Sequence, residues 1–175
     1  TVDDIPMVEM FDDDTKIEIR KVDSETGAIQ FFGLPAGVYL VKEVEAPEGY
    51  QIPEGPMRIT VTKDYKQQTF VMENRMTELM IDKLDEETRE PVTGAVLQLT
   101  DGEGNQVAKW VTTGEPELIR GLKAGWYILE EIQAADGFLF LKEPARIEIT
   151  EKAGIQTVTI TNRKLEVEVA KTDKE

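Results

Sequence analysis

The stretch YLVKEVEAPEGY, residues 39–50, decides how this chain folds, because it is written twice. With its lead-in it reads GLPAGVYLVKEVEAPEGY over residues 33–50 and returns without a gap as GLKAGWYILEEIQAADGF over residues 121–138. A later segment, QTFVMENRMTEL at 68–79, returns as QTVTITNRKLEV at 156–167. Tyr39 pairs with Tyr127, Glu43 with Glu131 and Asn74 with Asn162, always 88 residues apart. One constant displacement implies two copies of one domain.

The copies read as strand. In the second, apolar alternation runs through 78–84, 95–99, 106–111, 117–122, 126–132, 145–150 and 155–162, and turn sequences such as DGEGN, KAG and AADG separate these segments. Seven short strands predict a β-sandwich of about 85 to 90 residues per copy, and no segment has helical period. The predicted fold class is therefore all-β, with tandem Ig-like sandwich domains.

The copies are cut out of phase. The opening strand of the second, ELMIDKLD at 78–85, has its counterpart in EVEVAKTD at 166–173, whereas the position 88 residues before Lys83 falls ahead of Thr1. The expected organisation is a first domain at 1–75 lacking its first strand, a complete domain at 76–164, and the first strand of a following repeat at 165–175. A tandem array longer than this sequence accounts for that arrangement.

Composition narrows the function classes. Apolar residues make up 40% of the 175, and no run approaches the roughly 20 that span a bilayer. Nothing resembles a signal peptide, so an export or anchoring signal is expected outside this sequence. A formal charge of −15 and a pI near 4.5 repel phosphate backbones, which argues against nucleic acid and membrane partners. Cysteine and histidine are both absent, which removes thiolates, disulfides and the commonest general base and metal ligand. The acidic stretches FDDDT (11–15) and DGEGN (101–105) lack the spacing of a calcium loop and read as turns, so no metal and no cofactor is expected. Glu130 and Glu131 are neighbours on one strand and face opposite ways, which argues against glycosidase chemistry. Trp126 is out of phase with Tyr127 and is expected on the outer face, packed on an adjacent domain or offering a binding platform.

The polar residues in core phase carry the chemistry. Strand side chains have period two, so Glu43 follows Tyr39 and Val41 inward. Three strands of the second copy end the same way: Leu79, Ile81, Lys83; Tyr127, Leu129, Glu131; Val158, Ile160, Asn162. The first copy repeats two of them, with Glu43 and with Phe70, Met72 and Asn74, and the terminal strand repeats the third with Val167, Val169 and Lys171. Burial drives a lysine toward the neutral amine and a glutamate toward the neutral acid. Neutral Lys83 is then a nucleophile, and protonated Glu131 can polarise the Asn162 amide and relay protons. Attack at the amide carbon with loss of ammonia would leave a Lys83–Asn162 isopeptide bond, one event per molecule. The domain is its own substrate and not a turnover enzyme.

These residues resemble a known family. YLVKEVEAPEGY is similar to the glutamate segment of Cna B-type domains, the prealbumin-like β-sandwich repeats of Gram-positive surface adhesins and pilins. GLPAG, the KVDSETG-type turn, GAVLQL and the Lys83-Leu84-Asp85 strand end fit the same pattern. The resemblance implies a lysine of the first strand joined to an asparagine of the last with help from the glutamate, here Lys83, Asn162 and Glu131. The second copy departs from the pattern with Ala134-Ala135-Asp136-Gly137-Phe138 where the first has Ala46-Pro47-Glu48-Gly49-Tyr50. In the first copy Glu43 and Asn74 match, without a lysine to join them.

The function expected is a stalk or spacer module of a cell-surface adhesin or pilin, extracellular and wall-anchored, with adjacent repeats of the same protein as partners. The alternative is an adhesive module binding a host extracellular protein or glycan. Strand exchange between chains is a further expectation, in which strand 166–173 fills the vacant edge of a neighbour's first domain and brings Lys171 to Glu43 and Asn74.

Overall fold

In the computed structural model, which describes residues 7–12, 15–23, 25–64 and 66–171, all the regular elements are strands. The first copy forms β1 (Met7–Asp12), β2 (Thr15–Lys21), β3 (Gly37–Glu45), β4 (Tyr50–Gln51), β5 (Met57–Val61) and β6 (Arg75–Met76). The second forms β7 (Glu78–Asp85), β8 (Thr93–Asp101), β9 (Gln106–Thr113), β10 (Glu117–Arg120), β11 (Gly125–Gln133), β12 (Ala145–Ile149) and β13 (Ile155–Asn162). Two compact units divide the chain: Thr1–Glu78 with Arg120–Ala124 and Ile149–Ile155, and Leu79–Ile119 with Gly125–Glu148 and Gln156–Glu175.

All seven alternating segments of the second copy are strands, and they make two sheets ordered β10-β7-β13 and β12-β11-β8-β9. Alternation decides which side chains enter the core. Leu79 and Ile81 of β7, Leu97 and Leu99 of β8 and Tyr127 and Leu129 of β11 are buried, with a neighbour of opposite phase between each pair. Burying a large aliphatic side chain contributes about 1.5 to 3 kcal/mol, so these layers outweigh any local preference.

The first unit keeps the four-stranded sheet, ordered β2-β1-β3-β5, over a core of Met10, Tyr39, Val41 and Ile59, beside the short two-stranded pair β4-β6. Its other half differs from the sequence expectation. Segments 29–32 and 67–74, the counterparts of β10 and β13, carry no strand. The strand order supplies the reason. β7 is the central member of its sheet, and among the described residues no strand stands between segments 29–32 and 67–74 to take up their backbone hydrogen bonds. Phe70, expected inward, is 42% exposed, while Met72 still packs against the core.

The same principle applies at the other end. Residues 166–171 carry no strand, and Val167 and Val169 are 86% and 87% exposed. Residues 172 and 173 of that expected strand lie outside the described residues, as do Asp13 and Asp14 of the first acidic stretch.

The turn after the glutamate strand explains why its sequence can vary. Tyr50 N–H donates to Pro47 O and Phe138 N–H donates to Ala135 O, closing the same four-residue turn in both copies. Its third position needs positive φ, supplied by Gly49 (78°) and Gly137 (80°). Glycine sets the geometry, so replacing proline by alanine at the first position leaves the turn intact.

Candidate crosslink site

The order β10-β7-β13 sets Lys83 of β7 beside Asn162 of β13, and the facing sheet supplies Glu131 from β11. Each is placed by period two at the end of an apolar series. They are only 6%, 3% and 4% exposed respectively, which is core burial for three polar groups. β11 pairs Glu131 with Leu97 of β8, and the register then shifts before Gln133 meets Val96. That bulge ends the alternation, so Glu131 is the last inward residue and Ile132 and Gln133 are both exposed.

Three contacts tie the side chains together. Lys83 Nζ donates to Asn162 Oδ1. It also lies 3.2 Å from Glu131 Oε1. Asn162 Nδ2 donates to both carboxylate oxygens, at 2.8 and 2.9 Å. Burial pushes the Lys83 amine below the usual lysine range, and this outweighs the attraction of Glu131, which acts the other way. A buried amine with a weakened hold on its proton thus touches an amide whose nitrogen points at a carboxylate.

Backbone groups complete the shell, and side-chain patterning gave no hint of them. Asn162 Nδ2 also donates to Leu139 O at 2.8 Å, and Leu141 N–H donates to Glu131 Oε2 at 2.6 Å. Leu139 N–H in turn donates to Arg163 O at 2.8 Å, fixing this segment to the end of β13. Asp85, noted in the sequence only as part of a strand end, is buried and accepts from the Glu87 and Thr88 amides at 2.9 and 3.3 Å. Lys164 Nζ lies 2.8 Å from its other oxygen, and Glu86 N–H donates to Asn162 O. These bonds hold the ends of β7 and β13 together two residues beyond the Lys83–Asn162 contact. The Lys164 bond and the turn amides hold the Asp85 carboxyl down to about 2.

The first copy builds part of the same arrangement. Glu43 is 5% exposed, and Asn74 Nδ2 donates to its two oxygens at 2.9 and 2.7 Å. Burial raises the Glu43 carboxyl above the usual range, with the Asn74 hydrogen bond opposing. Lys171, the remaining crosslink candidate, is exposed.

Among the described residues no cluster of acidic groups is arranged to hold a metal ion. Asp101 instead accepts from the Glu103 and Asn105 amides of its own turn. Trp126 lies on the outer face, 44% exposed, with the Arg146 guanidinium 3.9 Å from its ring centre. Its partner is an arginine of the neighbouring strand β12 in the same sheet.

The SpaA prealbumin-like fold domain matches residues 7–76 and again residues 77–164. The chain belongs to that family. Its two tandem prealbumin-like domains cover the two copies read in the sequence. Among solved structures, the Bacillus anthracis TIE protein is 23% identical over 92% of this chain and 31% of that one, with a TM-score of 0.53. The minor pilin of Streptococcus agalactiae is 18% identical over 97% of this chain and 87% of that one, at a TM-score of 0.47. A streptococcal ancillary pilin is 20% identical over 92% of this chain and 57% of that one, at 0.43. The chain thus spans about a third of the first of these and a little over half of the last. No curated protein matches it.

Proposed function

We propose that this chain is a stalk module of an extracellular pilin or adhesin on a Gram-positive cell surface, locked by a self-formed isopeptide bond between Lys83 and Asn162. The observation that carries this reading is the burial of lysine, glutamate and asparagine side chains in mutual contact, in a chain without cysteine. Lys83 gives a proton to Glu131 Oε1 and attacks the Asn162 amide carbon as the free amine. A new C–N bond forms, the old one breaks, and the two protons that Lys83 Nζ gives up pass through Glu131 to the departing nitrogen, which leaves as ammonium. Glu131 ends as the carboxylate it began as, the neutral chain is lighter by one ammonia, and no oxidant is needed.

On this reading residues 76–164 are the self-sufficient domain. Residues 1–75 need an opening strand, 165–175 offer one to a following repeat, and adjacent repeats are the partners. A bond from first strand to last carries tension past the hydrogen-bonded sheets, which suits a stalk exposed to pulling and proteolysis. The test is intact mass. The chain should be lighter than its sequence by one ammonia, digestion should release a branched peptide joining Lys83 to Asn162, and Glu131→Ala should restore full mass. A wild-type chain of full sequence mass would overturn the proposal.

A further inference from the structure

We propose that the backbone of residues 139–141 is a positioning clamp for the crosslink, and that the first copy lacks it because Pro53 stands where the second has Leu141. The inference rests on the isopeptide reading and adds to it two groups that side-chain chemistry does not reveal.

Asn162 Nδ2 carries two hydrogens. One is taken by Leu139 O at 2.8 Å and the other is shared between the Glu131 oxygens, so the nitrogen that must leave is held on both sides. Glu131 Oε2 is occupied by Leu141 N–H at 2.6 Å, which leaves Oε1 facing Lys83 at 3.2 Å. The amide therefore makes the two carboxylate oxygens unequal. One is anchored and the other is presented to the amine whose proton it must accept. Lys83 is the charged group that meets the carboxylate; Lys142 and Glu143, next to Leu141, are exposed.

The repeat provides an internal comparison. GYQIPEGPMRITV at 49–61 aligns without a gap on GFLFLKEPARIEI at 137–149, which puts Gln51 at the place of Leu139 and Pro53 at that of Leu141. Backbone pairing agrees, because Tyr50 pairs with Met76 as Phe138 pairs with Lys164. Proline has no N–H, so this donor to Glu43 is absent by covalent structure. The Glu43–Asn74 bonds are present all the same. A lysine-bearing strand added to the first copy would thus meet a carboxyl with its asparagine in place and its anchor missing.

The experiment follows ammonia loss by intact mass in freshly translated chain. Wild type and Leu141→Ala keep the N–H and should react alike, whereas Leu141→Pro should react at least about tenfold more slowly, as misoriented reacting groups do. Equal rates for Leu141→Pro and Leu141→Ala would overturn the clamp. A second readout does not depend on the bond or on tolerance of proline. In Lys83→Ala, which cannot crosslink, the Leu141 amide proton should be shifted downfield and protected from exchange, and adding Glu131→Ala should abolish both. An amide indifferent to Glu131 would refute the clamp. Full mass in wild type together with a carboxylate-dependent amide would sink the isopeptide reading alone.

Discussion

On the proposed chemistry, replacing Lys83 by Met and Glu131 by Gln together prevents the crosslink without stranding a charge. The pairing matters because removing one partner of a buried ion pair costs about 3 to 5 kcal/mol on its own account. Methionine keeps the stem of Lys83, and glutamine keeps an oxygen for Leu141 N–H. The proposed bond would close a loop of 79 residues. If chain entropy acts as it does for disulfides, a loop of that length corresponds to about 4.5 kcal/mol at room temperature. The matched second domain covers residues 77–164. Its unfolding entropy at the midpoint is roughly 0.18 kcal/mol/K at the usual value per residue, so the double variant should melt about 25 °C lower. Scanning calorimetry on mass-verified protein measures this, reading the transition of the second unit. A drop of only a few degrees, with wild type shown to be crosslinked, would refute the entropic account of what the bond does. An equal drop of the double variant measured against a wild-type sample that never lost ammonia would refute the bond itself as the cause.

Three other outcomes follow from individual groups. Leu129 is fully buried, so Leu129→Ala should cost about 2 to 5 kcal/mol in denaturant unfolding of the second unit. Asp85 is held near 2, below its ordinary 3.8; its contribution is complete above the higher value and lost as pH falls through the lower. Asp85→Asn should therefore flatten the acid limb of thermal stability between those values. Glu43 has the opposite sign, since its carboxyl is raised by burial: its contribution is complete below the ordinary 4.5 and declines as pH rises through the native value. Glu43→Gln should remove that decline from the melting curve of the first unit.

The strands of the second copy were legible because alternation is a local signal, and seven segments carried it clearly. The inward phase of Lys83 and Glu131 was legible for the same reason, reinforced by repetition at one displacement. The strands missing at 29–32 and 67–74 were not. A strand exists through its neighbour, and the neighbour's place in the sheet order is fixed by topology, which alternation within a segment does not report. Leu139 O and Leu141 N–H escaped because every residue has such groups and only three-dimensional placement singles two of them out. Pro53 opposite Leu141 was the available trace, a proline aligned with a residue whose amide turns out to be used. The role of Asp85 was half visible. Its place in a strand end could be read, whereas its bond to Lys164 joins residues 79 positions apart.

The sheet order β10-β7-β13 also governs when the second domain can be finished. β7 is made first and β13 last, yet they are neighbours, so the inner strand waits for the whole intervening chain before one of its edges is filled. Contacts of such long sequence separation form late. A chain emerging from its N-terminus, cut short anywhere before Asn162, would hold Lys83 with nothing to react with. On the proposed chemistry, the bond is then a permanent record that synthesis reached the end, written only into domains that are complete.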